Sequence, residues 1–304
     1  MKILVLSPIS TDALQLIRSQ HSVRAAWRDE SSDEWPDGDA EVVIVRSGVE
    51  LDSSRLEAMP SLRAVIRAGS GLDSIDTNHL RARGIPIFRL NEFHANAVAE
   101  LAFALLLTLS RGICLLDREM RKGNWIKNQV QGTEMQGKVL GIVGLGRIGE
   151  RLAALAQPWG MRIVAVARTY STARREGLRI IGVELESSME RLAESSDMIV
   201  VALPLTPETE LIISDSFLSA MKPTAFLVNV GRGRTIDEDA LDRALTQRRI
   251  AGAALDVHSS EGAFSRFASF DNVVLLPHVG SNTVETQTSI GKAVVETLEQ
   301  ISKT

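Results

Sequence analysis

Cysteine is nearly absent from this sequence, since Cys114 is the single cysteine among 304 residues. One thiol cannot form an internal disulfide, and disulfide-stabilised folds are typical of oxidising compartments, so we expect a reducing compartment. Cys114 belongs to an apolar helical run, where a packed thiol is expected in place of a nucleophile. No metal site is predicted.

Long hydrophobic runs are also absent. The longest apolar stretch, LAFALLLTL at 101–109, is far shorter than the roughly 20 residues that span a bilayer. The N-terminal MKILVLSP has too few apolar residues for a signal peptide and suits a buried strand. We therefore expect a cytoplasmic protein with no membrane partner.

The sequence has no excess of positive charge. Its 34 Lys and Arg residues against 38 Asp and Glu residues give a net charge of -4. A general nucleic-acid surface needs a concentrated basic face, so no nucleic-acid partner is expected. With 44% hydrophobic residues, the chain has the composition of a globular protein with room for two domains.

What the sequence does contain is a repeated alternation of short apolar runs with helical patterns. Continuous apolar strands that alternate with helices predict parallel sheets covered by helices on both faces. The expected strands are 3–6, 42–45, 64–66 and 85–88 in the first part of the chain, then 139–144, 162–167, 198–204, 225–231, 251–257 and 272–277. The second series suffices for a doubly wound sheet.

The alternation predicts an α/β protein with two doubly wound parallel-sheet domains. The second series of strands is expected to form a domain that is inserted in the first. The last helix, from about Thr283, would return to the first domain. A long helix from Ala97 is apolar nearly all round and must be covered, so a domain junction or a homodimer interface is expected there.

A glycine motif marks the start of the second series of strands. Gly144, Gly146 and Gly149 follow a strand and precede a helix with GxGxxG spacing, with Arg147 and Ile148 between the last two. The first glycine permits the tight turn, the second lets a pyrophosphate approach the backbone, and the third permits close helix packing. A dinucleotide site is predicted, and a purely structural turn is the alternative.

The carboxylate that usually holds the adenosine ribose, about 20 residues past such glycines, is missing. No acidic residue stands between Glu150 and Glu176, while Arg168 lies at the end of the next strand, with Arg174 and Arg175 nearby. A guanidinium can hold a 2′-phosphate bidentately. The pattern favours NADP(H), and NAD(H) stays possible if these arginines are only a solvated face.

Six segments of the chain resemble one family. They are RAGSGLDSID (67–76), the glycine motif, ALPLTPET (202–209), FLVNVGRGRTIDEDAL (226–241), AALDVHSSE (253–261) and VVLLPHVGSNT (273–283). In this order they resemble the D-isomer-specific 2-hydroxyacid dehydrogenases, which include phosphoglycerate dehydrogenase, hydroxypyruvate reductase and formate dehydrogenase. The resemblance covers nearly the whole chain and implies an NAD(P)-dependent oxidoreductase acting on the CH-OH group of small 2-hydroxy acids. It also implies a Rossmann dinucleotide-binding domain, 97–281, inserted in a flavodoxin-like substrate domain, 1–96 and 282–304.

By this resemblance Arg232, Glu261 and His278 are the catalytic residues. His278 would donate the proton to the keto oxygen, Glu261 would stabilise the imidazolium, and Arg232 would bind the substrate carboxylate and polarise the carbonyl. Asp256 resembles the acceptor for the nicotinamide carboxamide, with a turn cap as the alternative. The further cofactor-binding positions implied are Leu203, Pro204, Val230, Gly231 and Gly280.

The chain departs from the family pattern in its local loops. The usual aromatic residue after Asp-Val is His258, the proline that often follows the catalytic glutamate is Gly262, and His94 stands where glycine is usual. These departures concern the loops and the substrate pocket and leave the catalytic residues in place.

The substrate is predicted from the first domain. Ser70 and Gly71 lie in a glycine loop whose backbone N–H groups can bind a carboxylate. Arg46 and Arg67 resemble residues that meet the substrate phosphate in the phosphoglycerate dehydrogenase branch, and surface ion pairs are the alternative. We expect a substrate with a second anionic group, with an NADPH-dependent glyoxylate or hydroxypyruvate reductase as the alternative.

One rival function belongs to another class. A nucleotide-sensing binding protein of the corepressor type shares the fold and the catalytic residues, although the flanking tails of such proteins are missing here. No residues follow the core for the regulatory domain of longer phosphoglycerate dehydrogenases, so feedback through such a domain is not expected.

Overall fold

The structure is a computed structural model that describes residues 1–27, 37–46, 48–166 and 172–303, without the side chains of residues 172–175. Its contacts divide the chain into two compact units. The split unit consists of Met1–His94 and Ser281–Thr304, and the inserted unit consists of Ala95–Gly280. The N-terminal and C-terminal segments therefore share one unit.

The strands and helices alternate along the chain. The strands are β1 (Lys2–Val5), β2 (Ser22–Ala25), β3 (Val42–Val45), β4 (Ala64–Arg67), β5 (Ile87–Arg89), β6 (Val139–Val143), β7 (Arg162–Val166), β8 (Val183–Leu185), β9 (Met198–Val201), β10 (Phe226–Asn229), β11 (Gly252–Leu255) and β12 (Val273–Leu275). The helices are α1 (Thr11–Gln20), α2 (Ser53–Glu57), α3 (Thr77–Ala82), α4 (Ala95–Arg111), α5 (Ile113–Arg121), α6 (Arg147–Ala156), α7 (Thr172–Ile180), α8 (Met189–Ser195), α9 (Asp215–Ala220), α10 (Glu238–Thr246) and α11 (Val284–Ser302).

Several helices begin at the residue that the capping rule favours. Asp237 accepts a hydrogen bond from the N–H of Ala240 at the start of α10, and Thr283 accepts one from the N–H of Thr286 at the start of α11. Side-chain oxygens at this position satisfy N–H groups that the first helical turn leaves without a partner in the helix.

The sheet of the split unit has the strand order β2-β1-β3-β4-β5, and all its pairs are parallel. This is the flavodoxin-like order. Successive residues of a strand point to opposite faces, so Leu4 packs with α2 and α3, whereas Ile3 packs with α1 and α11. Both faces are covered, which explains why these strands are apolar throughout.

The sheet of the inserted unit has the order β12-β11-β10-β9-β6-β7-β8, again with parallel pairs. This is the Rossmann order with one further strand at the edge. Helices α4, α6 and α7 cover one face, and α8, α9 and α10 cover the other. The predicted fold class, two doubly wound parallel-sheet α/β domains, is confirmed.

Two strands were not predicted, and the bounds of a third were predicted too early in the chain. The missed strands are β2, with the sequence SVRA, and β8, with the sequence VEL. Each forms an edge of its sheet and is only partly buried, so neither has the apolar run that marks a central strand. The strand expected at 85–88 is β5, which begins at Ile87 and ends at Arg89.

Helix α4 is covered by its own unit. Most of its residues are buried, and it packs on α6 and on strands β10 to β12. Its own unit thus covers most of its apolar surface, and the homodimer stays a prediction. Among the described residues no single helix is long and apolar enough to cross a membrane, although α4 and α5 together meet that length and composition test with a bend of 62° between them.

The expected packing of Cys114 is also wrong, because its thiol is exposed. Gly112 takes a left-handed conformation, φ 62°, and starts α5 in a new direction. None of the α5 residues is buried, so the apolar helical pattern continues in sequence while its burial ends at the glycine.

Candidate active site

The glycine turn after β6 has the geometry that dinucleotide binding requires. Gly144 has a φ of 104°, and a Cβ there would lie 2.9 Å from the carbonyl oxygen of Ala202. A Cβ on Gly149 would lie 2.6 Å from the carbonyl oxygen of Gly144, so the helix packs directly on the turn. A Cβ on Gly146 would meet no atom within 4 Å, which leaves open space in front of the turn.

Helix α6 begins at Arg147, with Gly146 as an N-cap that has no side chain to accept a hydrogen bond. The positive end of the helix therefore faces the open space beside Gly146. A pyrophosphate fits this arrangement, since it needs close access to the backbone and a positive potential. Arg147 and Ile148, two of the predicted cofactor-binding residues, form the first turn of this helix.

The other predicted cofactor residues of the inserted unit follow the carboxyl ends of neighbouring strands. Leu203 and Pro204 come after β9, and Val230 and Gly231 come after β10. A Cβ on Gly231 would lie 2.5 Å from the carbonyl oxygen of Leu203, so the two loops touch. Strand order reverses between β6 and β9, which is where ligands bind in doubly wound sheets.

The part of the site predicted to bind the 2′-phosphate lies outside the described residues. This applies to Arg168 and to the side chains of Arg174 and Arg175. The choice between NADP(H) and NAD(H) therefore rests on the sequence.

Arg232 is held by a buried asparagine that sequence reasoning missed. The Asn229 side chain is fully buried; its Oδ1 accepts the N–H of Gly231 at 3.0 Å, and its Nδ2 donates to the carbonyl oxygen of Arg232 at 2.9 Å. The hydroxyl of Thr235 donates to the same carbonyl at 2.6 Å. An Asn at a strand end before Gly-Arg-Gly was the available signal, because Asn side chains commonly bind the backbone of a following turn.

His278 and Glu261, predicted as a catalytic pair, are in direct contact. The Nδ1 atom of His278 lies 2.5 Å from Oε1 of Glu261. The hydrogen bond from His278 lowers the pKa of Glu261, the charges of His278, Arg232 and His258 act in the same direction, and burial opposes them. Glu261 stays ionised, and its carboxylate accepts the hydrogen bond from the Nδ1–H of His278. The Nε2 atom of His278 is therefore the ring position available for proton transfer.

The backbone of His278 is held in an unusual conformation. Its φ is 55°, a left-handed value that is uncommon for a residue other than glycine and is found often at functional sites. The N–H of His278 donates to the carbonyl oxygen of Asp256 at 2.8 Å. The carboxylate of Asp256 accepts the N–H of Val279 at 2.8 Å and the N–H of Gly280 at 2.9 Å.

Asp256 therefore anchors the turn that carries His278. Its side chain is buried, and burial raises the pKa of the carboxyl group, opposed by the two backbone hydrogen bonds. Of the two roles considered from the sequence, the contacts match the turn cap. The role as acceptor for the nicotinamide carboxamide stays a prediction.

The residues predicted to bind substrate lie in the split unit and have partners within it. Arg67 is 2% exposed, and its Nε donates to the carbonyl oxygen of Gly71 at 2.6 Å. Arg89, its neighbour across β4 and β5, donates to the carbonyl oxygen of Ser70. The alternative that Arg67 forms a surface ion pair is wrong, since the side chain is buried and shapes the Ser70–Gly71 loop.

Arg46 is half-buried, and burial lowers the pKa of its guanidinium. Its Nη1 donates to Oε1 of Gln287 at 2.6 Å and to the carbonyl oxygen of Pro8 at 3.2 Å. Both predicted phosphate ligands thus donate to oxygens of their own unit. Among the described residues, no cluster of His, Cys, Asp and Glu could hold a metal ion.

Comparison with known proteins identifies the family. Residues 103–280 match the family model described as D-isomer specific 2-hydroxyacid dehydrogenase, NAD binding domain. A D-3-phosphoglycerate dehydrogenase from Methanocaldococcus jannaschii is 34% identical over 304 residues, which cover 99% of this chain and 57% of that protein. A hydroxypyruvate reductase from Thermotoga maritima is 33% identical over 296 residues, covering 95% of this chain and 94% of that protein.

A solved structure agrees with these relatives. The NADPH-dependent glyoxylate/hydroxypyruvate reductase from Sinorhizobium meliloti, in complex with NADP and malonate, superposes with a TM-score of 0.85 at 31% identity, covering 98% of this chain and 92% of that one. The chain spans little more than half of the M. jannaschii protein. On the strength of the matched model, these relatives and the shared fold, the chain belongs to the D-isomer-specific 2-hydroxyacid dehydrogenase family.

Proposed function

We propose that the protein is an NAD(P)-dependent D-2-hydroxyacid dehydrogenase that reduces a small 2-keto acid and, in reverse, oxidises the 2-hydroxy acid. The observation that carries the proposal is the contact of 2.5 Å between His278 and Glu261, in the same unit as the glycine turn. A histidine that is oriented by a carboxylate is suited to general acid and base catalysis.

In the reductive direction the keto carbon gains a hydride, which a bound nicotinamide supplies, and the keto oxygen gains a proton. The protonated His278 donates that proton from Nε2 and becomes neutral. Its Nδ1 atom keeps its own proton, which remains hydrogen-bonded to Oε1 of Glu261. The carboxylate of Glu261 stabilises the imidazolium that exists before the transfer. In the oxidative direction Nε2 takes the hydroxyl proton back.

Arg232 would stabilise the negative charge that develops on the keto oxygen and bind the substrate carboxylate. Its charge already acts on Glu261, where it contributes to the lowered pKa. Asn229 and Thr235 hold the Arg232 turn in place, so the guanidinium starts from a fixed backbone. Preorganisation of this kind is a large part of electrostatic catalysis.

Replacement of His278 tests the proposal. We choose His278→Asn because Asn tolerates the left-handed backbone that this position requires. Loss of a general acid should lower kcat about 100-fold or more, with NADPH binding within about twofold of the wild type. His21→Asn in the split unit is the control and should leave both values unchanged. Full activity in His278→Asn would remove His278 from the mechanism.

For the substrate we favour an unphosphorylated 2-keto acid such as hydroxypyruvate or glyoxylate. The support is the similarity to the T. maritima hydroxypyruvate reductase over nearly the full length of both chains; in addition, Nη1 of Arg46 and Nε of Arg67 already donate to oxygens of their own unit. Phosphohydroxypyruvate is the second candidate, favoured by the similarity to the M. jannaschii phosphoglycerate dehydrogenase. Both alternatives are small acids that the same reaction accepts.

A steady-state panel of hydroxypyruvate, glyoxylate and phosphohydroxypyruvate distinguishes the two candidates. We expect the highest kcat/KM with an unphosphorylated acid, and Arg46→Gln should change all three acids by the same factor. A preference for phosphohydroxypyruvate that Arg46→Gln abolishes would establish the second candidate. Cofactor binding without turnover of any acid would support the nucleotide-sensing alternative.

We also propose that NADP(H) is preferred to NAD(H). The support is the absence of an acidic residue between Glu150 and Glu176 and the presence of Arg168 there. Arg168→Ala should raise the KM for NADPH about tenfold or more and leave that for NADH nearly unchanged, because a charge-assisted contact to the 2′-phosphate is lost. Arg179→Ala is the matched control, since Arg179 pairs with Glu176. Equal effects of both changes would contradict the assignment.

We propose in addition that the chain forms a homodimer through the surface of α5 and the residues that follow it. The support is three exposed apolar side chains there, Ile113 at 49%, Met120 at 51% and Trp125 at 75% exposure. Large exposed apolar side chains in one region favour a protein contact. Sedimentation should give a dimer that Met120→Glu converts to a monomer, and a monomeric wild type would refute the proposal.

A further inference from the structure

His258 occupies the position where the family usually has an aromatic residue, and its ring makes a specific contact. The Nε2 atom lies 2.8 Å from the carbonyl oxygen of Leu276, two residues before His278. A carbonyl oxygen can only accept, so Nε2 carries the proton and donates. The hydrogen bond connects the loop after β11, which carries Glu261, to the loop after β12, which carries His278.

The backbone of His258 is held in place by its neighbours. A Cβ on Gly233 would lie 2.0 Å from the carbonyl carbon of His258, so the Arg232 turn packs directly against this residue. The next residue, Ser259, donates its N–H to Oε1 of Glu238 at 3.0 Å. The imidazole is half-buried as well. These contacts fix the direction from which the ring reaches Leu276.

The ring keeps this contact in both of its charge states. With the proton of the neutral ring on Nε2, Nδ1 is the atom that takes the second proton, and the bond to Leu276 is unaffected. The charge of protonated His258 acts on Glu261 and Asp256, lowering the pKa of each as a minor contribution. The ring is therefore close to the charged groups of the site.

We propose that His258 is a positioning residue that ties the loop of Glu261 to the loop of His278 and so maintains the short contact between these two side chains. The inference rests on the proposed function of that pair. A phenylalanine, the kind of side chain usual in the family, fills a similar space but has no N–H to donate.

Two variants separate the hydrogen bond from the space that the ring fills. His258→Phe keeps an aromatic ring and removes the donor, whereas His258→Gln places an amide N–H near the position of Nε2. We expect about tenfold lower kcat for His258→Phe, with the KM for NADPH unchanged, and a kcat within about twofold of the wild type for His258→Gln. Equal kcat in the wild type and His258→Phe would overturn the proposal.

A measurement on the cofactor-free protein gives a readout independent of turnover. The proton between His278 Nδ1 and Glu261 should appear at low field in the NMR spectrum, because the contact is short. His258→Phe should shift or broaden this signal, and His258→Gln should retain it. An unchanged signal in His258→Phe would overturn the proposal. If the signals behave as expected while the wild type reduces no 2-keto acid, the positioning role stands and the proposed function fails.

The wild-type protein alone provides a test if His258→Phe does not fold. In protein labelled with ¹⁵N histidine and titrated until the His258 ring is neutral, that ring should carry its proton on Nε2. A neutral ring protonated on Nδ1 would mean that no hydrogen bond to Leu276 exists, and the proposal would be wrong.

Discussion

Removal of the Asp256 carboxylate should destabilise the turn that carries His278. The carboxylate is 1% exposed and accepts two backbone N–H groups, those of Val279 and Gly280. In Asp256→Ala both donors lose their acceptor. A buried donor without an acceptor costs about 1–3 kcal/mol of stability. Gly280 is buried, whereas Val279 is half-buried, so the cost at Val279 should lie at the lower end of that range. We expect a loss of about 2–4 kcal/mol in the free energy of unfolding.

Chemical denaturation of the cofactor-free protein measures this loss. Asp256→Asn keeps one acceptor oxygen and should lose about half as much as Asp256→Ala. The matched control is Asp239→Ala, which removes an exposed carboxylate that pairs with Arg266, and its effect should stay below about 1 kcal/mol. If Asp256→Ala were as stable as the control but failed to bind NADPH, the carboxylate would serve the nucleotide and not the turn.

The pH dependence of stability gives a second test of the same carboxylate. Burial raises its pKa in the folded protein above the unfolded value of about 3.9. The folded state therefore holds this proton more tightly, and the contribution of Asp256 to stability falls as the pH rises through the interval between the two values. Asp256→Asn should lack this slope. A slope of the opposite sign in the difference between wild type and Asp256→Asn would refute the assigned direction.

Three further predictions concern Glu261, Gly233 and Cys114. The hydrogen bond from His278 lowers the pKa of Glu261 in the folded protein. The wild type should therefore lose stability relative to Glu261→Gln as the pH falls from the unfolded pKa of about 4.3 through the folded pKa. Stability curves of the two proteins that run parallel against pH would contradict this. Gly233→Ala should destabilise by more than about 3 kcal/mol or prevent folding, since its Cβ would lie 2.0 Å from His258, and near-wild-type stability would show that the loops can separate. Cys114 is exposed in the single chain and lies on α5, the proposed dimer surface, so it should react with a thiol reagent about as fast as a free thiol in the monomeric Met120→Glu variant; protection there would contradict its exposure.

The central strands were predictable because both faces of each sheet are covered. A strand such as β3 is buried at every residue, so its side chains had to be apolar and the run was visible in the sequence. The edge strands are only partly buried and contain polar residues, Ser22 and Arg24 in β2 and Glu184 in β8. Their place in the sheets depends on pairing with β1 and β7, which local sequence does not encode.

The glycine turn was predictable for a related reason. Its conformation and its close approaches depend on residues within a few positions, since Gly149 packs against Gly144 in the same turn. The capping of His278 is different, because the donors to Asp256 lie 23 and 24 residues along the chain. Only the parallel pairing of β11 with β12 brings them together.

Asp256 and Arg67 show where residue type ceases to indicate a role. Both are charged residues at or beside the carboxyl end of a parallel strand, where ligands bind in such sheets. The family resemblance implied a ligand contact for each, with a turn cap as the alternative for Asp256 and a surface ion pair as the alternative for Arg67. In the structure both side chains are buried. Asp256 accepts the N–H of Gly280, and Arg67 donates to the carbonyl oxygen of Gly71, so each holds a loop. The pair of Glu261 and His278 differs because both side chains keep part of their surface exposed and contact each other. Burial and hydrogen-bond partners thus distinguish the charged residues that hold loops from those that can act on a substrate. We therefore expect changes at Asp256 and Arg67 to affect stability, and changes at Glu261 and His278 to affect turnover.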